Sequence, residues 1–295
     1  MMDTKAPALS TLLLAACLLA PATARADEPP PAAVETKPTP VFKVDPVSDV
    51  VLVSAGLGFT GLNELILSTG EIAPQRPGNA DNLLGIDRIA VTQKIDPNAS
   101  LVSNVGLGVA VGFAALDPLL TYFRDGSNAG LVDLTLYAES LSLTAAITDL
   151  TKIAFRRPRP VAYKEQAALD ARYGGASKSP SISDTGATLS FFSGHASIIA
   201  ATTATASYLA FMRSPDTARP WITLIAGTAL TAGVSYERVR AGAHFPTDVI
   251  AGALAGGCIG VLVPHLHRFD TTGRTLWVAA NTMDGGGMVT VDGLF

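Results

Sequence analysis

Six apolar stretches, at about 49–68, 101–121, 131–154, 195–212, 220–236 and 247–266, recur along this chain with polar loops between them. Each holds roughly 16–24 residues, which as α-helix is about 24–36 Å long and brackets the roughly 30 Å hydrocarbon core of a bilayer. The stretches are crowded with small residues (IIATTATASYLAF, IAGTALTAG, IAGALAGGCIGVLV), which let helices approach closely in lipid and equally suit a tight soluble bundle. We expect an all-α fold, a bundle of about six core helices, and span length favours embedding it in a membrane. Asp133, Glu139 and Asp149 in the third stretch and Asn63 and Glu64 in the first argue for the soluble alternative unless they face the bundle interior or water. Composition leans the same way as span length: only 16% of residues are charged and mean hydropathy is +0.34. Net charge is −4 and no basic run exceeds RRPRP at 156–160, which excludes a nucleic-acid partner.

The ends read differently. Lys5, the short apolar core LSTLLLAACLLA and Ala24-Arg25-Ala26 form an export-signal pattern, so residues 1–26 are expected to be a cleaved leader; processing as a lipoprotein at Cys17 is the alternative. Cleavage would leave Cys258 as the one cysteine, so no intrachain disulfide is expected. Residues 27–48 are proline-rich and poor in large apolar side chains, and are expected to form an extended, disordered tether before a helical domain at 49–270. The final segment, 271–295, alternates apolar with small or polar residues on both sides of Asp284-Gly285-Gly286-Gly287, the pattern of a β-hairpin.

Three polar constellations stand at helix ends. In KIAFRRPRP, Lys152 precedes Arg159 by seven residues while Pro158 and Pro160 end the helix, so both cations can reach one anion. In SFFSGHAS, Ser193 and Gly194 open a helix whose N–H groups point at an anion, and His195 beside them can exchange a proton near neutral pH. In ERVRAGAHFPTDVIAG, Arg238 precedes His244 by six residues and Asp248 follows it by four, with Pro246 suited to a first helical turn. A carboxylate one turn from an imidazole can orient the ring and leave its other nitrogen nucleophilic. Singly, each set also reads as an ordinary helix terminus.

Together the three sets resemble the type 2 phosphatidic acid phosphatase (PAP2) and vanadium haloperoxidase superfamily, whose pattern is K-x6-R-P, then P-S-G-H, then S-R-x5-H-x3-D. Here these are Lys152 through Arg159-Pro160, then Ser193-Gly194-His195 with Phe192 in place of proline, then Arg238, His244 and Asp248 with Glu237 in place of serine. The resemblance covers most of residues 131–266. It implies a PAP2-like bundle and a metal-independent phosphatase without a cofactor, in which His244 attacks phosphorus, oriented by Asp248. By the same resemblance His195 serves as acid and then base, and Lys152, Arg159, Ser193, Gly194 and Arg238 hold the phosphate.

The expected substrate is a phosphorylated lipid or a small phosphate ester. A soluble periplasmic acid phosphatase, a vanadium-dependent haloperoxidase and a non-catalytic phospholipid-binding envelope protein are the alternatives. Arg124, Arg213, Arg219, Arg268 and Arg274 favour a periplasmic site in the cell envelope, whereas a cleaved leader followed by three spans would put Lys152 in the cytoplasm. Specificity is expected in the loop 161–189. His265 and His267 are read as interfacial or surface residues with no carboxylate cluster beside them to make a metal site.

Overall fold

Asp45 and Pro46 start the first helix earlier than its apolar run does. The Asp45 carboxylate accepts hydrogen bonds from the backbone N–H groups of Val47 (3.0 Å) and Ser48 (2.9 Å), and Pro46 fills the first helical position, where a missing N–H costs nothing. Helix α1 therefore runs Pro46–Ser68, and Val41–Phe42 forms a short strand, β1. Residues 41–48 thus belong to the folded part and not to the extended tether expected there. The structure, a computed structural model, describes residues 41–70, 72, 74–269, 276–283 and 286–293. The expected leader and the tether as far as residue 40 lie outside the described residues.

Further helices follow: α2 (Gly85–Thr92), α3 (Ala99–Asp125), α4 (Ser127–Phe155), α5 (Pro160–Tyr173), α6 (Gly194–Arg213), α7 (Arg219–Arg240) and α8 (Pro246–Leu266). Strand β2 (Arg268–Phe269) pairs antiparallel with β1, Val41 opposite Phe269. Strands β3 (Leu276–Met283) and β4 (Gly286–Gly293) pair antiparallel with each other. The loop expected at 161–189 contains α5 and a 3₁₀ turn, Thr185–Thr188. Gln166 holds it together, accepting from Ile182 N and donating to Pro180 O, while Asp170 pairs with Arg76 at 2.6 Å.

Glycine decides the centre of the bundle. Gly252, Gly256 and Gly260 fall at every fourth residue of α8, on the stripe facing α6, and a Cβ at these positions would meet Ser193 O at 2.6 Å, Ser197 O at 1.9 Å and Ala201 O at 2.4 Å. No L side chain larger than hydrogen fits there, so the two backbones touch. Ala196, Ile199, Ala201, Leu209 and Ala210 of α6 are buried as a result, with Leu136 and Tyr137 of α4.

Side-chain pairs fix the helix directions. Arg238 meets Ser103, His195 meets Asn104, and Ser193 meets Asp248 at one end. At the other, Arg219 pairs with Asp117 (2.7 Å), Arg213 with Asp133 (2.6 Å), and His267 lies against Asp49 and Glu139. Helices α1, α4 and α7 therefore run toward the first end and α3, α6 and α8 away from it, the alternation short connections require.

Of the six expected spans, three (α1, α3 and α8) are long and apolar enough to cross a membrane. Helix α6 carries Ala, Ser and Thr instead because its neighbours cover it. Large apolar side chains such as Val50, Leu65, Val105, Leu116, Ile225 and Leu254 remain exposed around the bundle, as the lipid-facing surface of an integral membrane protein requires. The polar groups that argued against embedding are mostly turned inward: Asp133 and Glu139 are buried, Asp149 bonds Lys152, and Asn63 is buried while Glu64 is exposed.

One expectation fails here. His267, expected at the surface or interface without carboxylates, has its Nε2 3.5 Å from Asp49 Oδ1 and 3.3 Å from Glu139 Oε2. Residues near opposite ends of the chain meet because β1 pairs with β2 and Lys43 N donates to His267 O at 2.8 Å. His265 accepts from or donates to Tyr208 OH at 2.9 Å.

Candidate active site

Helix α4 stops where Arg156 turns left-handed (φ 47°), its N–H donating to Lys152 O at 2.8 Å. That turn leaves Lys152 on the last helical turn and redirects the chain. Arg159 then caps α5 ahead of Pro160, and its N–H donates to Ala187 O at 2.7 Å, while Ser190 N donates to Arg157 O at 3.0 Å. The first motif is thus laced to the segment that carries the second. Ser193 caps α6, accepting from Ala196 N at 3.4 Å, and leaves the first N–H groups of the helix without intrahelical partners. A Cβ on Gly194 would lie 3.7 Å from Lys152 Nζ, which places that ammonium over the start of α6. Lys152 also bonds Asp149 at 3.2 Å.

The third motif closes the site. Ser193 N donates to Asp248 O at 3.1 Å, joining the start of α6 to the start of α8. His244 is 2% exposed, and its Nδ1 sits 2.7 Å from Ser190 O, a carbonyl that can only accept. Nδ1 therefore carries the proton and Nε2 keeps its lone pair. Burial, with the positive charges of Arg159, Arg238 and Lys152, pushes the imidazole well below its ordinary value, so it is neutral at pH 7.

Asp248 was expected to orient this ring. Its Oδ2 is 4.0 Å from Nδ1, too far for a hydrogen bond. The i,i+4 argument assumed a helix through both residues, whereas α8 is capped at Phe245 and His244 precedes it. Asp248 is linked to His244 through Ser190, whose hydroxyl donates to Oδ2 at 2.5 Å while its carbonyl meets His244 Nδ1.

Arg157 fixes the carboxylate. Its Nη1 donates to Asp248 Oδ1 (2.5 Å) and Thr247 Oγ1 (2.8 Å), its Nη2 to Asp87 Oδ2 (2.8 Å), and its guanidinium stacks 4.0 Å over the Phe245 ring. Sequence reasoning missed Arg157, Asp87, Ser190 and the α3 pair Ser103 and Asn104. For the last there was a signal: two polar residues open an otherwise apolar stretch. His195 Nε2 lies 2.8 Å from Asn104 Oδ1, and Arg238 Nη1 donates to Ser103 Oγ at 3.3 Å.

The structure thus brings Lys152, Arg159, Ser193, Gly194, His195, Arg238, His244 and Asp248 to one end of the bundle. Glu237, where the family pattern has serine, pairs with Arg240 at 3.2 Å; Arg240, given no role from sequence, also reaches Asp96. Arg238 is left to the site. Two cationic donors there lack partners among the described residues: Nε of Arg159 and Nε of Arg238, both buried. Burial also lowers the affinity of the Arg159 guanidinium for its proton, partly offset by Asp184 and Asp248.

No curated protein matches the chain. Among solved structures it is similar to a transmembrane PAP2-type phosphatidylglycerolphosphate phosphatase from Bacillus subtilis, at 18% identity and a TM-score of 0.44, over 74% of this chain and 94% of that one. Residues 133–271, from the middle of the bundle through all three motifs, match the PAP2 superfamily. This match, over a little under half of the chain, shows a PAP2 superfamily domain at 133–271, the segment that carries the site.

Proposed function

We propose that the protein hydrolyses the phosphomonoester or pyrophosphate group of a lipid through a phosphohistidine intermediate, without a metal. The observation that carries this reading is the pair of buried, unpartnered guanidinium N–H groups of Arg159 and Arg238 beside Lys152 and a neutral His244. Buried cationic donors are costly unless an anion fills them.

A phosphoryl group does so with its three equatorial oxygens. The His244 Nε2 lone pair attacks phosphorus, and a P–N bond forms as the bond to the leaving oxygen breaks. His195, whose Nε2 is held by Asn104, is protonated at Nδ1 as the phosphate dianion enters the site, and gives that proton to the leaving oxygen. Water then attacks the phosphohistidine, His195 takes the water's proton, the P–N bond breaks and phosphate departs. Lys152, Arg159, Arg238, Ser193 and the Gly194 N–H stabilise the equatorial charge in both steps.

A lipid substrate is supported by the surroundings. A cavity of about 420 Å³ between α6, α7 and α8 is lined by Ala200, Thr203, Leu224, Thr228, Val249 and Ile250, the last two directly following Asp248 in the chain. Its walls suit an alkyl or prenyl chain whose head group sits in the site. Arg124, Arg213 and Arg219 stand at the opposite end of the bundle, which favours that end as cytoplasmic and the site as periplasmic. Helix α1 starts at that same end, so a cleaved leader would invert the orientation.

The test is turnover in detergent micelles of phosphatidate, a prenyl pyrophosphate and a soluble aryl phosphate. His244→Ala should abolish hydrolysis with helical signal and melting temperature retained. His195→Ala should slow lipid substrates about 10²–10⁴-fold and the activated aryl phosphate far less, because only a poor leaving group needs the proton. Appreciable turnover in His244→Ala, or equal losses on both substrates in His195→Ala, refutes the assigned roles.

A further inference from the structure

At the end of the bundle remote from the motifs, three side chains from three helices converge. Asp49 lies in the first turn of α1, Glu139 in α4, and His267 caps α8. Their ligand atoms all fall within 4.8 Å of one another. Asp49 and Glu139 are each 4% exposed, and Asp49 Oδ2 and Glu139 Oε2 have no hydrogen-bond partner among the described residues.

His267 is already oriented. Its Nδ1 lies 2.8 Å from Val263 O, which only accepts, so Nδ1 bears a proton and Nε2 faces the two carboxylates. Holding one imidazole nitrogen on a backbone carbonyl is how proteins present the other to a metal.

Charge and spacing select the occupant. With both carboxylates ionised and a neutral imidazole, the two buried carboxylates face a lone pair and the cluster holds two negative charges. With an imidazolium one negative charge remains, and the separations of 3.3 and 3.5 Å exceed the roughly 2.7–2.9 Å of a charge-assisted hydrogen bond. A divalent cation makes the cluster neutral. Two ligands each about 2.1 Å from a tetrahedral ion lie about 3.4 Å apart, close to the separation of His267 Nε2 from each carboxylate.

We propose that Asp49, Glu139 and His267 bind one divalent first-row metal ion, with Zn²⁺ the best match to one imidazole nitrogen, two carboxylate oxygens and a water in the fourth position. The ion clips the first helix and the end of the last to α4, where β1 and β2 also pair. Glu139 and Lys152 lie thirteen residues apart on α4, about 20 Å along the helix, so the ion takes no part in phosphoryl transfer. Its role is to hold the two ends of the domain together.

The test uses tag-free full-length protein in detergent, stripped with EDTA, dialysed and titrated with ZnCl₂. The expected result is one zinc per chain, a melting temperature raised by several degrees at saturating zinc, and an unchanged initial rate of hydrolysis at low temperature. Asp49→Asn, Glu139→Gln and His267→Gln should each weaken zinc binding at least about tenfold. Should those variants misfold, X-ray absorption on the zinc-loaded parent decides: a four-coordinate shell of one imidazole and oxygen ligands supports the site, whereas sulfur or several imidazoles overturns it. Substoichiometric binding at 100-fold molar excess of zinc with no thermal shift, or equal affinity in folded variants, also overturns it and leaves an ion triad in its place. None of these readouts depends on the identity of the substrate.

Discussion

Replacing Gly256 by alanine tests whether helix contact in the core sets the geometry of the active site. The added Cβ would lie 1.9 Å from Ser197 O, 2.6 Å from Ser197 C and 2.8 Å from Ser197 Cα. All three are backbone atoms of α6 and cannot rotate away. An ordinary C···O contact needs about 3.3 Å, so α6 and α8 must part by about 1.4 Å. Asp248 lies two turns before Gly256 on α8, and Ser193 one turn before Ser197 on α6. The same displacement would stretch the 3.1 Å bond from Ser193 N to Asp248 O to about 4.5 Å and break it. Overpacking of this kind costs about 1–3 kcal/mol, a fall of about 2–12 °C in melting temperature for a domain of this size. A shift of about 1 Å at the reacting groups lowers turnover about 100-fold. Thermal unfolding by circular dichroism and steady-state kinetics measure both, with Gly257→Ala as the stability control, since a Cβ there meets nothing within 4 Å. Parent-like melting and turnover in Gly256→Ala would refute the claim that this contact positions the site.

Arg157→Ala should destabilise the protein by about 3–5 kcal/mol, because Asp87 and Asp248, both fully buried, lose their shared cation; a loss under 1 kcal/mol in chemical denaturation would show that the network is incidental. His244 has a folded pKa below the ordinary value of 6.5, so below pH 6.5 the unfolded chain takes up a proton that the native site refuses. Stability should therefore fall as pH drops from 6.5 toward the folded pKa, and His244→Gln should flatten that slope; an unchanged slope counts against burial of a neutral imidazole. A cysteine introduced at 174–180 in a Cys258→Ser background should react with a membrane-impermeant maleimide in intact spheroplasts. Labelling only after permeabilisation would place the site in the cytoplasm, as a cleaved leader followed by α1 requires.

The sequence by itself determined the six long helices and the charged side chains that converge on the site. Long apolar runs bounded by proline and by capping residues admit few other folds, and phosphate chemistry needs cations and histidines at fixed spacing, so Lys152, Arg159, His195, Arg238 and His244 stand out. Tertiary structure alone decided how those groups are held. RRPRP contains three arginines of identical chemistry, and the left-handed turn at Arg156 is what sends Arg157 to Asp248 and Asp87 while leaving Arg159 for the anion. The acceptor that sets the His244 tautomer is the carbonyl of Ser190, a group every residue carries and no sequence can mark. Asp49, Glu139 and His267 meet for a related reason: local periodicity describes one helix at a time, and only packing α1 and α8 against α4 brings both ends of the chain to one point.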